Sequence, residues 1–327
     1  MEKTCFECGK GGAGADKRCG ACHTAVYCCA KCQRTAWKKH KLQCMPPTIN
    51  NKNDGAAATY DHGDCPICFD SLVSCEMRFM PCCGEELCMG CSNKWTDQCA
   101  FCRTPETRDP LEIAKRCRKL AESGRAIGQL HFGTCYSEGE GVVQNHAEAA
   151  RWFRLAADQG LADAQCSLGQ CYSEGKGVVQ DHAEAARRYR LAADQGHATA
   201  QCLLGQCYAY GKGVAQDCAE AARRYRLAAD QGYSISQFKL GACYYKGLGV
   251  VLDHVEAVRW YRLAGDQGHA EAQCSLGVLY FHGNGVECDV EQAAQWFKRA
   301  AQQGHEQAKK YFRAALEVIK STRVMKP

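Results

Sequence analysis

The last two thirds of the chain repeat one pattern of apolar and polar positions, seen in AQCSLGQCYSEGKGVVQDHAEAARRYRLAADQGHA, residues 164–198. Ala164, Leu168 and Tyr172 follow at intervals of four, which places them on one stripe of a helix. A second helix is predicted after a Gly-x-Gly turn that calls for residues free at positive φ. Asp181 serves as its N-cap, Glu184 three residues on completes a capping box, and Gly196 suits a left-handed C-terminal cap. The pattern is periodic: Gly133, Gly169, Gly205, Gly241 and Gly277 lie 36 residues apart, as do the turn glycines Gly139, Gly175, Gly211, Gly247 and Gly283. Five helical hairpins are therefore expected from about 126 to 305, each burying its apolar stripe against its neighbours as a solenoid. Leu111 to Gly124 matches the second helix of a half unit, and Glu306 to Ile319 reads as a closing helix. Gly169 falls inside a helix, at a cost of about 1 kcal/mol relative to Ala, so its return in every unit implies close helix approach.

The first hundred residues have no such periodicity, and cysteine takes its place. Of the 27 cysteines, seventeen fall between Cys5 and Cys102, whereas the other ten are spread along the repeats. Nothing approaches the roughly 18 consecutive apolar residues of a membrane helix, and the start MEKTCFECGK lacks the apolar core of a signal peptide. The expected setting is cytosol or nucleus, with no membrane association. In that reducing compartment cysteine spacing points to metal ligation or to burial rather than to disulfides.

The first cluster runs Cys5-x2-Cys8, Cys19-x2-Cys22, Cys28-x3-Cys32 and His40-x3-Cys44, eight ligand-type residues that suffice for two tetrahedral zinc ions. So short a segment cannot bury enough surface to offset its chain entropy, so metal binding has to supply most of its folding free energy. With Tyr27-Cys28-Cys29 leading to Cys32-Gln33 and then Trp37-Lys38-Lys39-His40, residues 1–45 resemble the MYND zinc finger. The resemblance implies interleaved ligation, one zinc on Cys5, Cys8, Cys28 and Cys32 and the other on Cys19, Cys22, His40 and Cys44, with Cys29 spare. It also implies docking of short proline-rich peptides at Gln33 and Trp37. Trp37 equally suits the role of the module's core residue.

Residues 46–64, rich in Pro, Asn, Gly and Ala, read as a flexible linker. A second cluster follows in Cys65-Pro66-Ile67-Cys68, Pro81-Cys82-Cys83-Gly84, Cys88-x2-Cys91 and Cys99-x2-Cys102. Residues 65–105 resemble an all-cysteine RING finger, in which adjacent Cys82 and Cys83 stand in for the usual fourth-ligand histidine. The resemblance implies one zinc on Cys65, Cys68, Cys88 and Cys91 and another on Cys82, Cys83, Cys99 and Cys102, and so about four zinc ions per chain. A RING performs no covalent step; it positions a charged ubiquitin-conjugating enzyme for attack by a substrate lysine. Ile67, Trp95 and Arg103 occupy the family's contact positions for that enzyme, although Ile67 and Trp95 also suit a small core. Ala100 departs from the proline the family usually has.

The repeat motifs LGxxY, GxGV and EAxRWYRxAAxQG resemble Sel-1-like repeats, relatives of the tetratricopeptide repeat. The resemblance implies a mostly α protein, a right-handed α-solenoid of helical hairpins preceded by two small cross-braced zinc-binding domains. Cys135, Cys171, Cys207, Cys243, Cys166, Cys202 and Cys274 recur in register and read as small buried packing residues. His182, His197, His254 and His269 also follow the repeat, which argues against a metal site built from them. Lysines and arginines make the first module basic, yet no aromatic-basic interleaving supports nucleic acid as a partner.

No nucleophile-base pair, phosphate loop or open zinc position gives the chain an active site of its own. Two readings remain. In one, a RING-type ubiquitin ligase captures its substrate or partner on the repeat array and the MYND finger. In the other, a non-catalytic adaptor binds peptides through both zinc modules.

Overall fold

A computed structural model describes residues 107–324, with side chains through residue 322, and the backbone of residues 17–18, 26–27, 77–80 and 85–88. The chain divides into two compact units, residues 1–144 and 145–327.

In the first unit, β1 (Lys17–Arg18) pairs antiparallel with β2 (Val26–Tyr27). Likewise β3 (Met77–Met80) pairs antiparallel with β4 (Glu85–Cys88), in register Met77 to Cys88 and Met80 to Glu85. Two helices follow, α1 (Pro110–Glu122) and α2 (Ala126–Glu138), packed on each other. Asp109 caps α1 by accepting from the Leu111 amide, and Pro110 supplies the first helical residue, where a missing N–H costs nothing.

The second unit is helical throughout its described residues. Its helices are α3 (His146–Asp158), α4 (Ala162–Glu174), α5 (His182–Asp194), α6 (Ala198–Tyr210) and α7 (Cys218–Asp230). They continue as α8 (Ser234–Lys246), α9 (His254–Asp266), α10 (Ala270–His282), α11 (Val290–Gln302) and α12 (Glu306–Val324). Within this unit successive helices pack on one another, an α-solenoid of hairpins.

Each boundary has a local cause. Asp181 Oδ1 accepts from the amides of Ala183 and Glu184 at 2.9 and 3.0 Å, and Asp217 and Asp253 repeat the arrangement. The capping box expected of Glu184 does not form. The Asp181 amide donates instead to the Tyr172 carbonyl of the preceding helix, which leaves the Glu184 carboxylate to Arg187 and Arg188. A tertiary partner has replaced the local one. At the hairpin turn Gly177 has φ 73°, and a Cβ there would lie 2.0 Å from the His146 carbonyl oxygen, so both conformation and space demand glycine.

Small side chains set the packing distance. A Cβ on Gly169 would meet the Tyr189 ring at 2.6 Å, so the ring packs directly against the helix backbone, which is the close approach its recurrence implied. Around it Ala185, Ala186, Ala192, Ala193, Ala200, Leu204, Cys166 and Cys207 close one core, and the same cluster recurs at Tyr225 and Tyr261. Leu168, Leu204, Leu240 and Leu276 are fully buried, each stabilising the fold by about 2 kcal/mol. At the C-terminal end Ala308 and Ala315 of α12 join Phe297 and Ala300 in a last core.

Candidate functional site

The residues with metal chemistry in the sequence fall outside the described residues. These are Cys5, Cys8, Cys19, Cys22, Cys28, Cys32, His40 and Cys44 in the first cluster, and Cys65, Cys68, Cys82, Cys83, Cys91, Cys99 and Cys102 in the second. Gln33, Trp37, Ile67, Trp95 and Arg103 fall outside them too. Cys88 alone has a described backbone, as the last residue of β4. The two ribbons bracket several of these positions: Cys19 and Cys22 lie in the sequence between β1 and β2, and Cys82 and Cys83 between β3 and β4.

What the structure does describe is the surface of the repeats. The inner lattice that holds them in register is polar. Gln165 is buried, donates to the Ala157 carbonyl of α3, and accepts from Gln195 at 2.8 Å, so one carboxamide joins three successive helices. Gln201, Gln237 and Gln273 repeat it with Gln231, Gln267 and Gln303. Outside this lattice Arg188 reaches Glu184 at 2.7 Å and Asp158 of α3 at 3.3 Å, and Arg224 does the same with Glu220 and Asp194. In the next unit Trp260 takes the arginine's place and donates its indole N–H to Glu256. These ladders went unread in the sequence, where their trace is the 36-residue spacing of the glutamines at 165, 201, 237 and 273.

Further side chains reach the surface of the repeats, some of them paired within their own helix, as Arg187 is with Glu184, Arg223 with Glu220 and Arg259 with Glu256. Arginine and leucine alternate along the second helices, with Arg187, Arg223 and Arg259 exposed beside Leu191, Leu227 and Leu263. Among the first helices Tyr210 of α6 is 66% exposed, with Ile235 on α8 and Tyr311 on α12 also exposed, while Lys246 and Glu174 supply charge. One turn departs from its equivalents. Leu248 and Leu252 stand where the two preceding repeats have Lys176, Lys212, Gln180 and Gln216, and with Val251 and Val255 they form an exposed aliphatic group.

The titratable groups of the repeats serve the scaffold. Hydrogen bonds from Arg187 and Arg188 hold the Glu184 carboxyl down to about 2. Burial pushes Cys171, Cys243 and Cys274 up to about 11, which keeps them as protonated packing residues, and Cys135, Cys166, Cys202 and Cys207 are buried with them. His197 caps α6, its Nδ1 accepting from the Ala200 amide at 3.1 Å while Nε2 faces Asp163 at 3.1 Å. Asp163 draws this imidazole towards protonation, and the amide, which needs a bare Nδ1, opposes it. Among the described residues no group of three or more His, Cys, Asp or Glu could hold a metal ion, and no helix is long and apolar enough to cross a membrane.

Comparison with known proteins follows the same division. The MYND finger matches residues 5–44. A stretch of 36 residues is 44% identical to the N-lysine methyltransferase SMYD2 of Bos taurus, covering 11% of this chain and 8% of that enzyme. The Sel1 repeat protein of Oxalobacter formigenes superposes with a TM-score of 0.59 at 32% identity, over 62% of this chain and 81% of that one. A protective antigen of uropathogenic Escherichia coli strains, c5321, which displays an SLR fold, superposes with a TM-score of 0.59 at 33% identity. That match spans 64% of this chain but only 44% of the antigen. The Sel1 repeat itself matches residues 126–161, 162–197, 198–233, 234–269 and 270–305, more than half of the chain, so the protein belongs to the Sel1 repeat family.

Proposed function

We propose that the chain is a RING-type ubiquitin ligase whose repeat array and MYND finger capture the substrate. Its frame is a set of protein-interaction modules, a zinc-binding MYND finger and Sel1 repeats. In this reading residues 1–45 form the MYND finger, 46–64 a linker and 65–105 the RING. The array at 126–305 is closed by helices at 111–124 and 306–319.

The observation that carries the reading is the second cysteine cluster, four pairs of thiols with Ile67, Trp95 and Arg103 at the contact positions of a RING. Thiolate and imidazole donors fit zinc, and with four protein ligands on each ion no position remains open for an activated water. Cys65, Cys68, Cys88 and Cys91 would hold one ion of this module, and Cys82, Cys83, Cys99 and Cys102 the other. Zinc held by these ligands would supply most of the module's folding free energy. Ile67 and Trp95 then offer an apolar pair to the conjugating enzyme, and the fixed donor fork of Arg103 bridges that enzyme and ubiquitin.

The repeats supply the second surface. Solenoids present an extended face to protein partners, and here Tyr210, Ile235, Lys246 and Glu174 are exposed side chains that a peptide could meet. Ala100 and the Cys82/Cys83 pair favour a second reading, an adaptor that binds peptides without transfer. Binding of purified, zinc-loaded protein to a panel of conjugating enzymes separates the two. The ligase reading expects at least one enzyme to bind, and Ile67→Ala to weaken that binding about tenfold or more. Lack of binding to every member of the panel would leave the adaptor.

A further inference from the structure

The hairpins repeat one cross-helix pairing. A residue on the second helix of a unit meets the residue eighteen positions later on the next helix: Arg154 bonds Tyr172, and Arg190 bonds Tyr208. In the core the same register sets the Tyr189 ring in one cluster with Cys207, and the Tyr225 ring with Cys243.

Applied to α1 and α2, this register brings Cys117 to Cys135. Cys117 stands in the 36-residue register of Phe153, Tyr189, Tyr225, Tyr261 and Phe297, so at this one place a thiol replaces the aromatic ring and faces a second thiol. Both are buried, Cys117 at 1% and Cys135 at 6% exposure. Each of the two sulfurs acts on the ionisation of the other, as neighbouring thiols do.

We propose that Cys117 and Cys135 are a two-electron redox pair, which a small peroxide converts into a disulfide that locks α1 onto α2. The two thiols are not equivalent. The neighbouring Cys135 sulfur and then burial push Cys117 up, and Cys117 is sealed at 1% exposure, whereas Cys135, pulled down beside Cys117, keeps 6%. Accessibility makes Cys135 the attacking thiol. Its sulfur takes one oxygen of hydrogen peroxide, the O–O bond breaks, and one water leaves with a sulfenic acid behind it. The Cys117 sulfur then attacks the sulfenic sulfur, the S–O bond breaks, and a second water departs with the Cys117 proton. Two thiols and one peroxide become one disulfide and two waters. Elsewhere in the array Cys171 and Cys274 are raised mainly by burial, which makes them poor nucleophiles.

The test uses the reduced, zinc-loaded full chain and stoichiometric hydrogen peroxide. Free thiols are alkylated under denaturing conditions and the digest is mapped by mass spectrometry without reduction. The exposed Cys288 reports that oxidant has acted. The expected product is a peptide pair joined through Cys117 and Cys135, lost on treatment with dithiothreitol. In Cys117→Ala, dimedone should trap a sulfenic acid at Cys135. Recovery of both cysteines alkylated while Cys288 is oxidised, or a bridge from either to another cysteine, overturns the pair. Failure to trap Cys135 in the variant overturns its place as the attacking thiol.

Discussion

The side chain of Gln195 donates to the carboxamide oxygen of Gln165 at 2.8 Å, and Gln165 passes its own N–H to the carbonyl of Ala157. Repeated in four units, this bond turns a stack of small apolar cores into a lattice with fixed register. Gln201→Ala would remove its bonds to the Ala193 carbonyl and from Gln231, which keep the Gly196 amide and the Leu227 carbonyl as their other partners, so the loss is that of two hydrogen bonds, about 1–3 kcal/mol. Gln180→Ala removes a single exposed bond to the Ser173 carbonyl and should change stability by less than about 0.5 kcal/mol. Urea unfolding of both variants, followed by helical circular dichroism, measures the difference.

Two glycines with similar backbone angles should respond differently to alanine. Gly177 and Gly196 have φ of 73° and 88°, but a Cβ at Gly177 would strike the His146 carbonyl at 2.0 Å, whereas at Gly196 nothing lies within 4 Å. Gly196→Ala meets only the left-handed backbone strain, about 1–2 kcal/mol, and Gly177→Ala should cost clearly more than that. Equal losses in thermal unfolding would mean that conformation alone explains the turn.

Much of the repeat was legible because each feature has a local cause. Asp181 and Gly196 mark helix ends through their own backbone bonds, and the spacing of Gly169 signalled a close helix approach before Tyr189 was known to supply it. Glu184 shows the limit of local reading. Its capping role depends on the Asp181 amide being free, and that amide is taken by Tyr172, a residue the N-cap motif does not include. The glutamine and arginine ladders were missed for the same reason, since their partners lie 30 residues away. The exposed turn at Leu248 and Leu252 shows in the sequence only when one repeat is set against the next. The zinc clusters are legible as chemistry, because thiol spacing is local, while the surface they present is not.

Glu184 gives a pH signature. Its folded carboxyl titrates near 2 against an ordinary 4.5, so the stabilisation is complete above pH 4.5 and is lost as pH falls from there towards 2. Discounted for solvent screening, it contributes about 1 kcal/mol. The difference in stability between the wild type and Glu184→Gln should therefore be constant from pH 7 to 5 and shrink below that. A difference that stays constant down to pH 3 would contradict the Arg187 and Arg188 pairing.

Zinc content separates the two cysteine clusters. Both filled would give about four ions per chain by elemental analysis, and a value of about two would mean that one cluster is not a zinc module. Removing the metal with a chelator should unfold the zinc modules and leave the helical signal of residues 107–324 in place.

Ubiquitin transfer is tested most directly by chain formation. Purified, zinc-loaded protein is incubated with activating enzyme, ubiquitin and each member of a panel of conjugating enzymes, alongside Ile67→Ala and Arg103→Ala. The result expected is ubiquitin chains with at least one conjugating enzyme, sharply reduced in both variants. Absence of chains with every enzyme, or chains undiminished by either substitution, would contradict the claim.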